Sequence, residues 1–277
     1  MTPGWLTPAL VVVGALALGL VVAAVVQGAR FNAHLRTLER VVASPPDMRA
    51  PRGDLPPEVA ALAKRLGARS DGGTVTVRQR GRMWSKPGAQ PMAFVARQTA
   101  SPTRIAYVWN ADLAPGRLIK AADYYVAGLG GLEVKALGLF SIVRAVGGAE
   151  MAQGEVSRYL AELPWNPDAI LLNRDLDWVV LDPRTLRVAH GAAVVTFVLD
   201  DAGLPKTMSA PSRPYMAKGV TRAMPWSGRF DAYERMSGRL IPTAGEVAWT
   251  LDGREFVYWR GTITAWSAQS GGGPSAP

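Results

Sequence analysis

The chain has 277 residues, no cysteine and two histidines, and its 31 Lys+Arg outnumber 22 Asp+Glu for a formal charge of +9. That length suits one large domain or two small ones. The absent cysteines exclude a disulfide framework, a thiol nucleophile and every Cys-ligated metal site, and two histidines leave little room for a His-based triad or a His-rich metal centre. No cofactor is implied.

The first element is apolar. From Ala9 to Val26 no residue carries a charge, and Trp5 to Pro8 extend the uncharged stretch. At 1.5 Å per residue this is enough to cross a bilayer core. Residues 1–8 lack the basic start of a signal peptide, although Val26-Gln27-Gly28 offers a cleavage-like site, so an uncleaved single-pass anchor over 1–29 is expected, with cleavage as the alternative. Arg30, Arg36 and Arg40 follow the span, which favours a cytoplasmic domain under the positive-inside rule. Phe31, Leu35, Leu38 and Val42 form one helical stripe. This stripe either lies on an anionic membrane surface or extends the helix and packs on the domain. Residues 30–54 are thus a juxtamembrane helix and linker, since Ser44 to Pro57 contains five prolines.

A short helix is expected over Pro56–Leu66, with an early proline, Glu58 in its first turn and Gly67 as its stop. From Thr74 the pattern alternates, and strands are expected at 74–80, 94–99, 104–110, 118–126, 132–137, 177–181, 187–189, 193–199 and 204–209. Gly128 to Gly131 reads as a hairpin turn, because it separates two strands and precedes no helix. In the C-terminal third Gly228, Gly245 and Gly261 recur, each followed by a strand-like run. Such spacing implies strands longer than the usual five or six residues and hence a large, curved sheet. One helix, at about Ala149–Leu163, interrupts the series and should cover one sheet face. The β-rich domain is placed at 55–268, followed by a flexible tail at 269–277.

Few residues suggest chemistry. Arg78, Arg80 and Arg82 alternate and share one strand face, which reads as a solvated surface; with no basic run, nucleic acid is not an expected partner. Glu155, Arg158 and Glu162 fall on the polar side of the inserted helix and read as a surface ion-pair ladder, acid/base work being the alternative. Asp175, Asp177 and His190 read as structural. The nine tryptophans suit either core packing or an apolar concave face that receives a lipid-like ligand. Trp109 and Tyr125 on successive strands, Trp165 after the helix and Arg158 on it could meet at one mouth, with Arg158 facing an anionic head group.

The order of these motifs resembles a bacterial family of membrane-anchored proteins known only as a domain of unknown function. The resemblance rests on Leu55-Pro56-Pro57-Glu58-Val59, Arg78-Gln79-Arg80-Gly81, Trp109-Asn110-Ala111 and Ala121 to Gly128. Its most specific stretch is Gly154-Glu155-Val156-Ser157-Arg158-Tyr159-Leu160-Ala161-Glu162-Leu163-Pro164-Trp165-Asn166-Pro167, and Trp226-Ser227-Gly228, Gly245 to Trp249 and Tyr258 to Gly261 complete it. The family more often carries an aromatic where Asn166 stands. The resemblance implies one continuous domain and supplies no activity. The architecture is similar to the half-barrels of periplasmic lipoprotein carriers, which points to an exported domain, against the arginine count.

These readings converge on a mainly β protein: a large curved antiparallel sheet or open half-barrel with one or two covering helices, preceded by a transmembrane helix. Binding of a membrane lipid or another apolar small molecule is expected ahead of a scaffold role with a filled groove. A hydrolase using carboxylates ranks third, and no catalytic or metal-binding residue is assigned.

Overall fold

The computed structural model describes residues 6–44, 51–113, 116, 118–217 and 219–269. Its strands form one 13-stranded antiparallel sheet. They are β1 (Thr74–Met83), β2 (Met92–Ala100), β3 (Tyr107–Leu113), β4 (Ile119–Val126), β5 (Leu129–Ala136), β6 (Phe140–Val146), β7 (Asp177–Asp182), β8 (Thr185–His190), β9 (Ala193–Leu199), β10 (Pro205–Ala217), β11 (Val220–Met236), β12 (Arg239–Leu251) and β13 (Arg254–Gln269). The order β6-β5-β4-β3-β2-β1-β13-β12-β11-β10-β9-β8-β7 makes two meanders joined where β1 pairs with β13. The fold is the expected mainly β half-barrel with few helices.

Length and glycine placement account for the curvature. Strands β10 to β13 run to between 13 and 17 residues, well beyond the usual five or six. Gly81, Gly261 and Gly245 pair across β1, β13 and β12 as a row that takes in two of the three recurring glycines, while Gly228 pairs with Val247. A Cβ on Gly261 would lie 2.4 Å from the Trp259 ring, and one on Gly245 would lie 3.3 Å from that of Trp165. The row is therefore a trough that large rings occupy, and it lets the sheet bend around them.

Three helices serve the concave face. Helix α2 (Pro57–Arg65) and α4 (Asp168–Leu172) pack together at one end of the half-barrel. There Asp168, fully buried, accepts from Arg239 at 2.6 Å and from the Arg69 backbone at 2.8 Å. This buried ion pair is hydrogen-bonded on both carboxylate oxygens, the condition under which such a pair is tolerated. Helix α3 (Ala149–Ala161) crosses the opening between the two wings, touching β4 and β5 on one side and β8, β9 and β10 on the other. Its Val156, Tyr159 and Leu160 face the core, as its periodicity predicts.

Helix α1 (Leu6–Val42) is a single continuous helix. Its Gly14–Val42 portion is long and apolar enough to cross a membrane, a description that a signal sequence also meets. The end of the helix settles the two readings of its stripe. Phe31, Leu35 and Val42 are buried on the convex face of the sheet against Ala106, Val108, Ala122, Tyr124 and Val126. The stripe packs on the domain and does not lie on a membrane surface. Arg104 donates to the Val41 and Val42 carbonyls, satisfying the helix C-terminus.

Three further readings are corrected. Strand β6 was not expected, because Phe140-Ser141-Ile142-Val143 lacks polar alternation; it is an edge strand exposing apolar side chains. The hairpin turn is at Ala127-Gly128, and Gly130 and Gly131 belong to β5. A Cβ on Gly131 would enter the Tyr124 ring, which explains the glycine. Strand β3 begins three residues later than expected and is buried on both faces, so its alternation is blurred. The Pro-rich linker lies partly, and the C-terminal tail beyond Gln269 wholly, outside the described residues.

Two outcomes are expected. Leu160→Ala should destabilise the domain by about 2–5 kcal/mol in urea unfolding, since the side chain is fully buried. A chain lacking residues 1–29 should remain folded, whereas one lacking residues 1–42 strips the apolar cover from Val108 and Tyr124 and should aggregate on size-exclusion chromatography.

Candidate functional site

Beneath α3 the half-barrel encloses a cavity of about 580 Å³, within the range that holds a small molecule. Its sheet wall is apolar, with Met83, Met92, Trp109, Met208, Trp249 and Trp259 prominent. Its lid is α3, through Met151, Glu155, Arg158 and Glu162. The end opposite α2 and α4 is the mouth, where Leu113, Ile119, Ile142, Met216 and Thr221 stand at strand termini.

The polar groups form one connected set. Arg158 pairs with Asp123 on β4, donates through Nε to Glu162 at 2.8 Å and reaches Gln98 Oε1 at 3.4 Å. Its guanidinium lies 5.2 Å from the Tyr107 ring centre and 5.1 Å from that of Trp109. Tyr107 donates to Glu155, and Trp109 donates to Gln79 at 2.8 Å. Burial is the main force on Glu155, pushing its pKa well above the ordinary 4.5; the Asp123 carboxylate raises it further, by charge and by hydrogen bonding, and Arg213 opposes. Burial therefore favours the uncharged form of Glu155 over the carboxylate. Burial likewise keeps the Tyr107 phenol protonated. Burial works against the charge of Arg158, and Glu162 and Asp123 more than offset it.

The surface-ladder reading of Glu155, Arg158 and Glu162 is thus overturned. Glu155 is 5% exposed, and the trio turns inward to the cavity wall. Periodicity places a polar stripe on a helix but does not say whether water or another polar wall faces it.

Arg213 is the residue that sequence reasoning missed. It is buried on β10, donates from Nε to the Gly154 carbonyl of α3 at 3.0 Å, and stacks 4.3 Å from the Trp226 ring centre and 5.2 Å from that of Trp249. Among the described residues no carboxylate lies within ion-pair distance of it. A bulge between Ala210 and Arg213 aims the side chain inward, and the flanking Pro211 and Pro214 were the available signal for it.

Of the four expected ligand contacts, the structure brings Trp109 and Arg158 together in the wall. Tyr125 continues the same face of β4 beyond Asp123, away from the mouth and outside the lining. Trp165 stands one layer behind, 6.0 Å from the Trp259 ring, with Nε1 donating to the Pro242 carbonyl at 2.8 Å. The remaining candidates lie elsewhere. His190 Nδ1 donates to the Asp175 carbonyl at 2.9 Å, Asp177 is exposed at the start of β7, and Arg78, Arg80 and Arg82 are exposed away from the cavity. Among the described residues no cluster of His, Asp and Glu could hold a metal ion.

A family profile matches residues 49–261 and so spans the whole cavity. The chain belongs to DUF6544, a family of unknown function. Within that family's span, Asn166 donates to the Ser101 carbonyl at 2.9 Å from a buried position. No curated protein matches the chain. Among solved structures it is similar to a LolA superfamily protein from Nitrosomonas europaea, at 11% identity and a TM-score of 0.44 over 76% of this chain and 93% of that one. It is also similar to a DUF1329 family protein from Desulfovibrio piger, at 10% identity and a TM-score of 0.46 over 78% and 92%. These likenesses concern the half-barrel architecture alone.

The raised pKa of Glu155 yields a pH prediction. Its raised pKa means that the folded protein holds a proton which the unfolded chain releases above about pH 4.5. The stabilising effect of that proton is full below the unfolded value and is lost as pH rises toward the folded one. Glu155→Gln mimics the protonated side chain, so it should flatten the fall in thermal stability above pH 4.5 without lowering stability at neutral pH. Melting curves across pH test this; a variant with the same slope as the parent counts against a raised pKa at Glu155.

Proposed function

We propose that this DUF6544 protein binds a lipid-like amphiphile in the cavity beneath α3, with α1 as its membrane anchor. One observation carries the reading: an apolar chamber of about 580 Å³ contains a single buried guanidinium, Arg213, with no ion-pair partner among the described residues. Such a chamber suits a hydrocarbon chain, and an arginine held between tryptophans suits an anionic head group. Trp109, Trp249 and Met208 are assigned to the chain. Arg213 takes the head-group role first given to Arg158, whose charge is already matched by Asp123 and Glu162. The length and composition of α1 support the anchor, and no side of the membrane is assigned. An open cavity also disfavours a scaffold whose groove is packed shut.

The test is mass spectrometry of lipids carried by the full chain purified in mild detergent. Acidic lipid should accompany the parent protein. Arg213→Met should lower its recovery about tenfold, the loss expected for one charge-assisted hydrogen bond. Trp109→Ala should lower total lipid while circular dichroism stays unchanged. Repeated recovery of folded protein free of lipid, and unable to take up a fluorescent fatty acid, would falsify the proposal.

A second reading, hydrolysis by carboxylates, is favoured by the buried Glu155, whose pKa is raised, in the cavity wall. Release of fatty acid from a phospholipid ester, abolished in Glu155→Gln, would select it. The mutual pairing of Tyr107, Glu155, Asp123, Arg158 and Glu162 ranks it behind binding.

A further inference from the structure

We infer that the mouth of the cavity is pressed against the bilayer that α1 enters, and that its rim contacts lipid directly. The inference rests on the proposed anchor and ligand but concerns a different surface. Three observations support it.

The first is where the helix leaves the domain. Residues 31–42 of α1 are fastened to the convex face, with Glu39 3.8 Å from Arg97 and Val42 beside Arg104. Running back from there toward its N-terminus, α1 passes the β5–β6 turn at Gly28. A Cβ on Gly138 would lie 2.8 Å from the Gly28 Cα and 3.0 Å from the Ala24 carbonyl oxygen. Gly138 has φ +68°, a conformation that favours glycine in its own right. Two glycines thus bring backbone to backbone where the uncharged part of α1 begins.

The second is that this turn belongs to the mouth. Strands β1, β3, β5, β10 and β12 end there, and β2, β4, β6, β11 and β13 start there, as the register across the sheet requires. The α2–α4 plug is at the other end, so the cavity opens on the side of the molecule where α1 departs.

The third is the chemistry of the rim. Leu118, Leu137, Phe140, Ile142, Met216 and Val220 are 45–56% exposed on the adjoining hairpins, an apolar edge with no protein cover among the described residues. Basic groups stand beside it: Arg30 two residues after Gly28, Arg222 on β11, and Lys135, whose ammonium lies 4.5 Å over the Phe31 ring. An apolar edge flanked by cations matches acyl chains beneath anionic head groups. The occupant of this edge is therefore the membrane surface, and an amphiphile could pass between leaflet and cavity along it.

The absence of cysteine makes the test clean. Single substitutions Leu137→Cys, Phe140→Cys and Val220→Cys at the rim, and Asp201→Cys at the plugged end, are labelled with an environment-sensitive fluorophore. The full chain is then reconstituted into phosphatidylcholine–phosphatidylglycerol vesicles. Rim labels should be quenched by brominated acyl chains and shielded from aqueous iodide, while the Asp201→Cys label should show the reverse. Rim labels quenched by iodide alone, or shielded from both quenchers as under a protein partner, overturn the inference. If such a failure accompanies normal lipid recovery by mass spectrometry, the ligand proposal stands. Lipid-quenched rim labels on protein that carries no lipid uphold the membrane contact and overturn the ligand proposal instead.

Discussion

Everything in this fold depends on closing a sheet that does not close itself. Thirteen antiparallel strands that curl but leave β6 and β7 unpaired at their outer sides present an apolar concave face and two free edges. Helix α3 covers the concave face by spanning the wings, and it is fastened on each side by an arginine. Arg158 reaches from the helix to Asp123 on β4, and Arg213 reaches from β10 to the Gly154 carbonyl of the helix. Arginine suits both positions because its fixed fork satisfies several acceptors at once and stacks on aromatic rings while doing so.

That arrangement places charge inside an apolar wall, which is costly unless each ion is matched. Asp123 and Glu162 balance Arg158, and burial beside Tyr107 pushes Glu155 toward its uncharged form. Arg213 alone lacks a carboxylate within ion-pair reach among the described residues, and the faces of Trp226 and Trp249 only partly replace one. On the proposed function an arriving anion would complete the balance, and the group that helps hold the lid would also be the group that recognises the ligand.

The legible parts of this protein were those whose cause is local. The alternation from Thr74, the apolar stripe of α3 and the recurring glycines announced long strands, a covering helix and a curved sheet. The aligned row of Gly81, Gly261 and Gly245 gives that recurrence a cause at two of its positions: Gly261 clears space for the Trp259 ring and Gly245 for that of Trp165. What was not legible depended on the partner. The polar side of α3 looked like a solvated ladder because nothing in its own spacing reveals Asp123, Gln98 and Tyr107 opposite it. The Phe31–Val42 stripe fitted a membrane surface and a sheet surface equally well. Arg213 stayed hidden because its inward aim comes from a bulge, and Ile142 and Val143 because an edge strand beside a cavity need not alternate.

The packing of residues 31–42 bears on how such a cavity could be supplied. A flexible tether holds a domain near a membrane but leaves its mouth free to point anywhere, so most encounters between cavity and leaflet are unproductive. Here the last part of α1 is buried in its own small core of Phe31, Leu35, Val42, Val108 and Tyr124, and the Gly28–Gly138 approach pins it again at the mouth. Two separated points of attachment on one stiff helix fix an orientation as well as a distance. The entropy of orienting the mouth is then lost once, during folding, rather than at each transfer. On the proposed function the small convex core, on the sheet face opposite the chamber, would serve binding by orienting the mouth that leads to the tryptophans.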